Sequence, residues 1–148
     1  MESGRRIAFD FGNARIGVAI SDASGLLASP GENLLAQSDD LVETLRNLLD
    51  EVNPIYIAIG KPLHLSGAES AKSEAVEAFA TLVKSLVSVP IYFIDERLTT
   101  VSAARALRES GINAKEGKSK IDGMAAVGIL ESALNQERLQ GVPSKETA

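Results

Sequence analysis

Three carboxylates stand where the sequence offers little structural reason for an acid. Asp10 interrupts the apolar run from Ile7 to Gly12, and Glu96 closely follows another apolar run at 91–94. Asp122 precedes a set of small and apolar residues that recur at helical spacing, so it is expected on the inward face of a helix. A buried carboxylate without a partner costs several kcal/mol, so Asp10 requires a hydrogen-bond donor, a basic side chain or a metal.

Convergence of the three acids would define a specific chemistry. Carboxylates brought together repel and desolvate one another unless cations neutralise them. Hard divalent cations such as Mg²⁺ or Mn²⁺ prefer oxygen ligands, and two such ions about 4 Å apart are the usual apparatus of phosphodiester hydrolysis. The pattern therefore indicates a metal-dependent nuclease site.

Each acid also has a structural interpretation. Asp10 could be held by Arg15 or by the backbone amides of a turn. Asp95 or Glu96 could cap a following helix, and Asp122 could form a capping box with Ser119. The nuclease interpretation depends on the three acids together rather than on any one of them.

Composition narrows the chemistry further. The 148 residues include no cysteine and a single histidine, His64, which excludes disulfides, cysteine catalysis and His-rich zinc sites. The length predicts a single domain over 1–148, with 1–5 and 141–148 flexible. No apolar run is long enough for a membrane span, and no signal segment is evident, so a cytoplasmic protein without membrane partners is expected.

Charge is unevenly distributed along the chain. The net charge of −5 argues against non-specific nucleic-acid binding by the whole surface. The segment 97–120, however, carries six basic residues against two acidic ones; the basic residues are Arg97, Arg105, Arg108, Lys115, Lys118 and Lys120. This segment either contacts phosphates or forms solvated helix faces.

The periodicity predicts the order β-β-β-α-β-α-β-α-α. The strands are expected at 6–11, 16–22, 26–29, 55–60 and 91–94, and the helices at 38–51, from a capping box at 66–69 to about 87, from 99 or 100 to 110, and from 119 onward after a loop at 112–118. The predicted fold is α/β, with a five-stranded mixed sheet. A three-strand antiparallel meander is followed by parallel strands, and helices cover both faces.

Several motifs together resemble the YqgF family, also called RuvX. Residues 10–19 resemble its opening motif, and residues 95–100, Asp-Glu-Arg-Leu-Thr-Thr, form its most specific one. The resemblance continues at 60–63 with Gly67, at Ala103, and at 121–122 with the small and apolar residues after them, covering 6 to about 138.

This resemblance implies an RNase H-like fold and a nuclease. The family is described both as the enzyme that matures the 5′ end of pre-16S rRNA and as a Holliday junction resolvase relative of RuvC. Carried over by motif position, the catalytic and metal-binding acids are Asp10, Glu96 and Asp122, with Asp95 and Gly12 in supporting positions. Arg97 would orient the site or meet a phosphate, and Thr99 and Thr100 would cap the following helix or contact the substrate backbone.

Two positions depart from the family pattern. Lys61 replaces a commonly apolar residue and could contact substrate beside a strand end. Asn13 and Ala14 replace a Thr-Lys pair, which removes a phosphate contact next to Asp10. Lys118 and Lys120 of the basic segment would also hold the substrate backbone.

Three functions remain open at this point. The first is Mg²⁺- or Mn²⁺-dependent hydrolysis of structured RNA, with the ribosome or processing factors as partners. The second is resolution of branched DNA, which requires a symmetric dimer. The third is a non-catalytic nucleic-acid- or nucleotide-binding domain.

Overall fold

The computed structural model describes residues 1–62, 67–95 and 114–148, with the backbone alone for 67–70 and 114–122. Its elements, in chain order, are β1 (Ile7–Phe11), β2 (Arg15–Ser21), β3 (Ala28–Pro30), β4 (Leu34–Leu35), α1 (Leu41–Val52), β5 (Ile57–Lys61), α2 (Gly67–Lys84), β6 (Ile91–Asp95) and α3 (Ala114–Gln140). The helix expected from 99 or 100 to 110 lies outside these residues, as does Ser66 of the expected capping box.

The strands form one mixed sheet in the order β3-β2-β1-β5-β6. Strand β1 is antiparallel to β2 and parallel to β5, which in turn is parallel to β6. The predicted mixed sheet is confirmed, but β4 was not predicted. Strand β4 pairs with Arg15 and Ile16, beyond the end of β3. Because it has only two residues, it is too short to produce an alternating pattern in the sequence.

Alternation along the strands separates two cores. Ile7 and Phe9 of β1 face one side, where α1 and α2 supply apolar residues such as Leu45 and Phe79. Ala8 faces the other side, which α3 covers. The α3 residues predicted to face inward are all buried, and Val127, which was not predicted, is buried with them; the predicted residues are Ala125, Ala126, Ile129, Leu130, Ala133 and Leu134.

Helix α3 begins earlier than its sequence suggests. The prediction of a loop at 112–118 and a helix from Ser119 is wrong for 114–118, which are helical. Four of the five residues from Ala114 to Lys118 are good helix formers, and extending an existing helix costs less than nucleating a new one. Interpreting the Gly/Lys-rich composition as a loop therefore placed the start of α3 too late in the sequence.

The start of α1 also differs from expectation. Asp40 rather than Ser38 occupies the N-cap position, and no side chain caps the helix there. The Ser38 hydroxyl instead accepts a hydrogen bond from the Asp40 backbone N–H at 3.2 Å. Ser38 therefore shapes the turn that leads into the helix.

Both chain termini make backbone hydrogen bonds with the body of the fold. The Gly4 N–H donates to Ala23 O at 2.9 Å, and the Phe93 N–H donates to Glu146 O at 2.9 Å. The segments expected to be flexible are thus tied to the sheet at these points. No helix within 1–62, 67–95 and 114–148 is long and apolar enough to cross a bilayer.

Candidate active site at the carboxyl edge of the sheet

The carboxyl ends of β1, β5 and β6 lie at one edge of the sheet because the three strands are parallel. Asp10 lies near the end of β1, and Lys61 and Asp95 are paired as the last residues of β5 and β6. Neighbouring strands are about 4.8 Å apart, which places the backbones of Asp10 and Asp95 about 10 Å apart. Open α/β sheets bind ligands at such edges.

Glycines flank Asp10 on both neighbouring strands. Its direct partner on β2 is Gly17. On the other side Phe9 pairs with Ile59, so the following residue of β5, Gly60, lies alongside Asp10. Asp10 is partly buried, whereas both glycines are buried. Because Asp10 alternates with Phe9 and shares a face with Ala8, its carboxylate lies on the side of the sheet that α3 covers.

Asp122 belongs to the helix that covers this face. It lies one turn before Ala126 and two turns before Ile129, both of which are fully buried against the sheet. Its neighbour Gly123 is buried close to β3, where an added Cβ would lie 3.4 Å from Pro30 Cβ. Since α3 begins at Ala114, Asp122 is well inside the helix, and the capping-box alternative with Ser119 is excluded. The side chain of Asp122 itself is outside the described atoms.

Lys61 lies on the opposite face from Asp10. Its Nζ is 2.9 Å from Glu77 Oε1 of α2 and 4.5 Å from the centroid of the Phe93 ring. The Lys61 side chain is 16% exposed and Glu77 is 56% exposed, so the ion pair sits at the rim. A phosphate reaching Lys61 would therefore compete with Glu77 for its charge.

Asp95 shares the face of Phe93, two residues earlier on β6, and not that of Asp10. The structure thus brings Asp10 and Asp95 to the same edge but directs them to different sides. Glu96, Arg97, Thr99 and Thr100 lie outside the described residues. Lys118 and Lys120 lie on α3 by their backbone, and nothing further is described of their side chains.

Two features of this edge escaped the sequence interpretation. Gly17 and Gly60 flank Asp10, and only the strand register reveals that they do so. Glu77 pairs with Lys61 across sixteen residues, which no local motif signals.

Gly12, expected in a supporting position, lies in the tight turn after β1, where an added Cβ would be 2.7 Å from Arg15 O.

Oxygen ligands are present at this edge, but the described atoms hold no complete metal site. Within 1–62, 67–95 and 114–148, no group of three or more acidic, histidine or cysteine side chains is placed to bind one ion. Asp10 is the member of the predicted set whose side chain is described.

The family model described as "RuvX: Holliday junction resolvase" matches residues 4–136. The chain belongs to the RuvX family. The membership predicted from the motifs is confirmed, and it extends over both the β1–β2 hairpin and α3.

Relatives agree with this membership. A protein of Streptomyces coelicolor is 43% identical over 99% of this chain and 89% of its own length. A protein of Mycolicibacterium smegmatis is 42% identical over 91% of this chain and 82% of its own. Both carry the name "Putative pre-16S rRNA nuclease".

A solved structure shows the same fold. T. thermophilus RuvC in complex with a Holliday junction substrate matches with a TM-score of 0.59 and 15% identity, covering 98% of this chain and 99% of that one. At this identity the similarity concerns the fold alone, and it confirms the RNase H-like α/β class.

Proposed function

We propose that this RuvX-family chain is a divalent-metal-dependent nuclease that cleaves structured RNA, with the 5′ end of pre-16S rRNA as its substrate. The observation that carries the proposal is the position of Asp10. It is a partly buried carboxylate at the carboxyl edge of a central strand, flanked by glycines and covered by the helix that bears Asp122. The names of the relatives supply the substrate.

The donor set fits a hard cation. Asp10, Glu96 and Asp122 offer only carboxylate oxygens, which Mg²⁺ and Mn²⁺ prefer, and these three residues would hold the metal. When bound in a pair, such ions activate water and stabilise the leaving oxygen of a phosphodiester. Three carboxylates in proximity would otherwise repel one another, which makes a cation the consistent partner.

The chain itself supplies rigidity and access. The backbone of Asp10 is held by β2 on one side and β5 on the other, so the point from which its side chain projects is fixed before substrate arrives. Gly17 and Gly60 leave room for a phosphate backbone to approach it. Arg97, Thr99, Thr100, Lys118 and Lys120 are proposed to contact the substrate, whereas Lys61 faces Glu77 on the other side of the sheet.

The charge distribution supports this orientation. Acidic residues dominate α1, whose first turn contains Glu43 and whose last turn lacks a basic residue, so this side of the sheet repels RNA. The basic segment 97–120 belongs to the part of the chain between β6 and α3. RNA is therefore proposed to approach from the α3 side. Ribosomal RNA processing would also place the protein in the cytoplasm, in contact with ribosomal precursors.

The test is cleavage of end-labelled pre-16S rRNA with Mg²⁺, Mn²⁺ or EDTA, by the wild type and by Asp10→Asn. We expect cleavage that EDTA and the substitution each abolish. Asp22→Asn is the matched control, because Asp22 is an exposed aspartate that follows β2 at the opposite edge of the sheet. Full activity of Asp10→Asn would overturn the proposal.

Resolution of branched DNA is the second candidate. The description of the family model favours it. The same assay on a four-way DNA junction distinguishes the two, since cleavage of the junction alone would assign the site to DNA. Tight binding of RNA without cleavage under any metal condition would indicate a binding domain instead.

A further inference from the structure

An arginine is fully buried at the end of the sheet far from Asp10. Arg6 is 0% exposed, and its guanidinium donates hydrogen bonds to Gly4 O at 2.6 Å, Glu2 O at 2.7 Å and Glu137 Oε2 at 2.9 Å. Its Nε has no hydrogen-bond partner within the described part of the chain. Burying the guanidinium charge costs free energy, and the Glu137 carboxylate on α3 compensates for that cost.

The Glu137 carboxylate also binds the residue that precedes β5. The Tyr56 hydroxyl, just before β5, donates to Glu137 Oε1 at 2.9 Å, and the Arg6 guanidinium lies 5.7 Å from the centroid of the Tyr56 ring. Both oxygens of Glu137 are therefore occupied, one by each strand. Burial and the charge of Glu137 raise the pKa of Tyr56 above its ordinary value, which keeps its hydroxyl a donor.

The centre of the surface beneath α3 is flat, and larger side chains such as Ile94 and Tyr92 flank it. Ala19, Ala8 and Ala58 pair directly across β2, β1 and β5, forming a row of alanines that faces α3. Side chains of α3 pack against this row, but a flat row of methyl groups presents shallow grooves. The alanine row by itself therefore buries α3 without strongly fixing its position along the helix axis.

We propose that Arg6, Tyr56 and Glu137 form a clamp that fixes the axial position of α3 on the sheet. Specifying a register is the best-attested use of buried ionic groups. A helix rises 1.5 Å per residue, so Glu137 and Asp122 are about 22 Å apart along α3. Because the helix moves as a unit, Glu137 sets the axial position of Asp122. The three clamp residues are thus positioning residues for the carboxylates, an assignment that depends on the proposed function only in its consequence for activity.

Because the chain has no cysteine, a disulfide can report the position of α3. An added Cβ at Gly123 would lie 3.4 Å from Pro30 Cβ, close to the 3.5–4.5 Å of disulfides. The double variant Pro30→Cys, Gly123→Cys is therefore expected to cross-link rapidly with oxidised glutathione. Adding Glu137→Ala should slow cross-linking more than tenfold, and Tyr56→Phe should slow it by a smaller factor.

The matched control is Val83→Ala. Val83 is fully buried on α2, against the other face of the sheet, so its truncation destabilises the protein without touching the clamp. Cross-linking in this background should keep the unmodified rate. If Glu137→Ala does not fold, the cross-linking rates of Glu137→Gln and Tyr56→Phe are compared with the unmodified rate instead. An unchanged rate in folded clamp variants overturns the proposal, whatever the activity.

Activity gives the second readout. In chains without the cysteines, Glu137→Gln should raise the Mg²⁺ concentration for half-maximal cleavage at least threefold, whereas Val83→Ala should not. Equal Mg²⁺ requirements in both variants would contradict the positioning role. A wild type that cleaves nothing would refute the proposed function, and the cross-linking result would still decide whether the clamp exists.

Discussion

Asp10 on β1 and Gly17 on β2 are direct cross-strand partners on the face that α3 covers. Paired residues have Cβ positions about 4.5–5.5 Å apart, so any side chain at Gly17 would stand beside the carboxylate. The glycine at this position therefore keeps a side chain from standing beside the Asp10 carboxylate.

Substitution of Gly17 should therefore reduce activity more than stability. Gly17→Ala is expected to lower kcat/KM for RNA cleavage about tenfold and Gly17→Val further, since the larger side chain fills the space next to Asp10. Ile16→Val is the control, because Ile16 lies on the same strand but faces the other core. It should cost about 1 kcal/mol of stability and leave cleavage unchanged. Equal activity of Gly17→Val and the wild type would contradict this account.

The turn after β1 predicts a different outcome at Gly12. A Cβ there would lie 2.7 Å from Arg15 O, a backbone atom that moves only if the hairpin shifts. Gly12→Ala should lower the free energy of unfolding by about 1–3 kcal/mol, as overpacking does. Urea denaturation measures this change. Asn13→Ala, at the exposed next position, should stay within about 0.5 kcal/mol. A Gly12→Ala protein as stable as Asn13→Ala would show that the turn can relax.

Local patterns predicted much of this structure. The apolar run around Asp10 identified a buried strand, and the spacing of Ala126 and Ile129 identified the inward face of α3. Both patterns reflect burial on one side of a regular element, which sequence records directly. The fold class and family followed from them and from the motifs.

What the sequence could not predict depends on pairing between distant segments. The glycine opposite Asp10 is known only once the β1–β2 register is fixed. The partner of Arg6 is Glu137, 131 residues away, and neither residue has a local signature of burial. Lys61 was expected to face substrate, yet strand alternation directs it to Glu77 on the opposite side. Tertiary register, not local propensity, decides each of these contacts.

Asp22 should show a lowered pKa. Its carboxylate accepts hydrogen bonds from the Ser24 hydroxyl at 2.6 Å and from the backbone N–H groups of Leu26 and Leu27. These bonds favour the charged form and lower its pKa below its ordinary value of 3.8. The associated stabilisation is thus present above pH 3.8 and is lost as pH falls through the lower, folded pKa.

NMR titration of the Asp22 carboxyl carbon measures this pKa directly. Ser24→Ala removes the hydroxyl donor, which contributes most to the lowering, and should move the pKa back toward 3.8. An Asp22 pKa at or above 3.8 in the wild type would show that the turn does not hold its carboxylate in solution.

The buried pair of Arg6 and Glu137 allows stability and positioning to be separated. Glu137→Ala leaves the Arg6 charge buried without its carboxylate and should destabilise the protein by about 3–5 kcal/mol. Replacing both charged partners with apolar residues, Arg6→Met with Glu137→Leu, in a Tyr56→Phe background that leaves no hydroxyl unpaired, removes the buried charges and should restore most of that stability. Denaturation then reports the stability of these variants, and the cysteine cross-linking rate reports the position of α3. The apolar double variant should be nearly as stable as the wild type yet cross-link between positions 30 and 123 more slowly. If it regains both the stability and the cross-linking rate, packing alone positions α3, and the ion pair has no role in register.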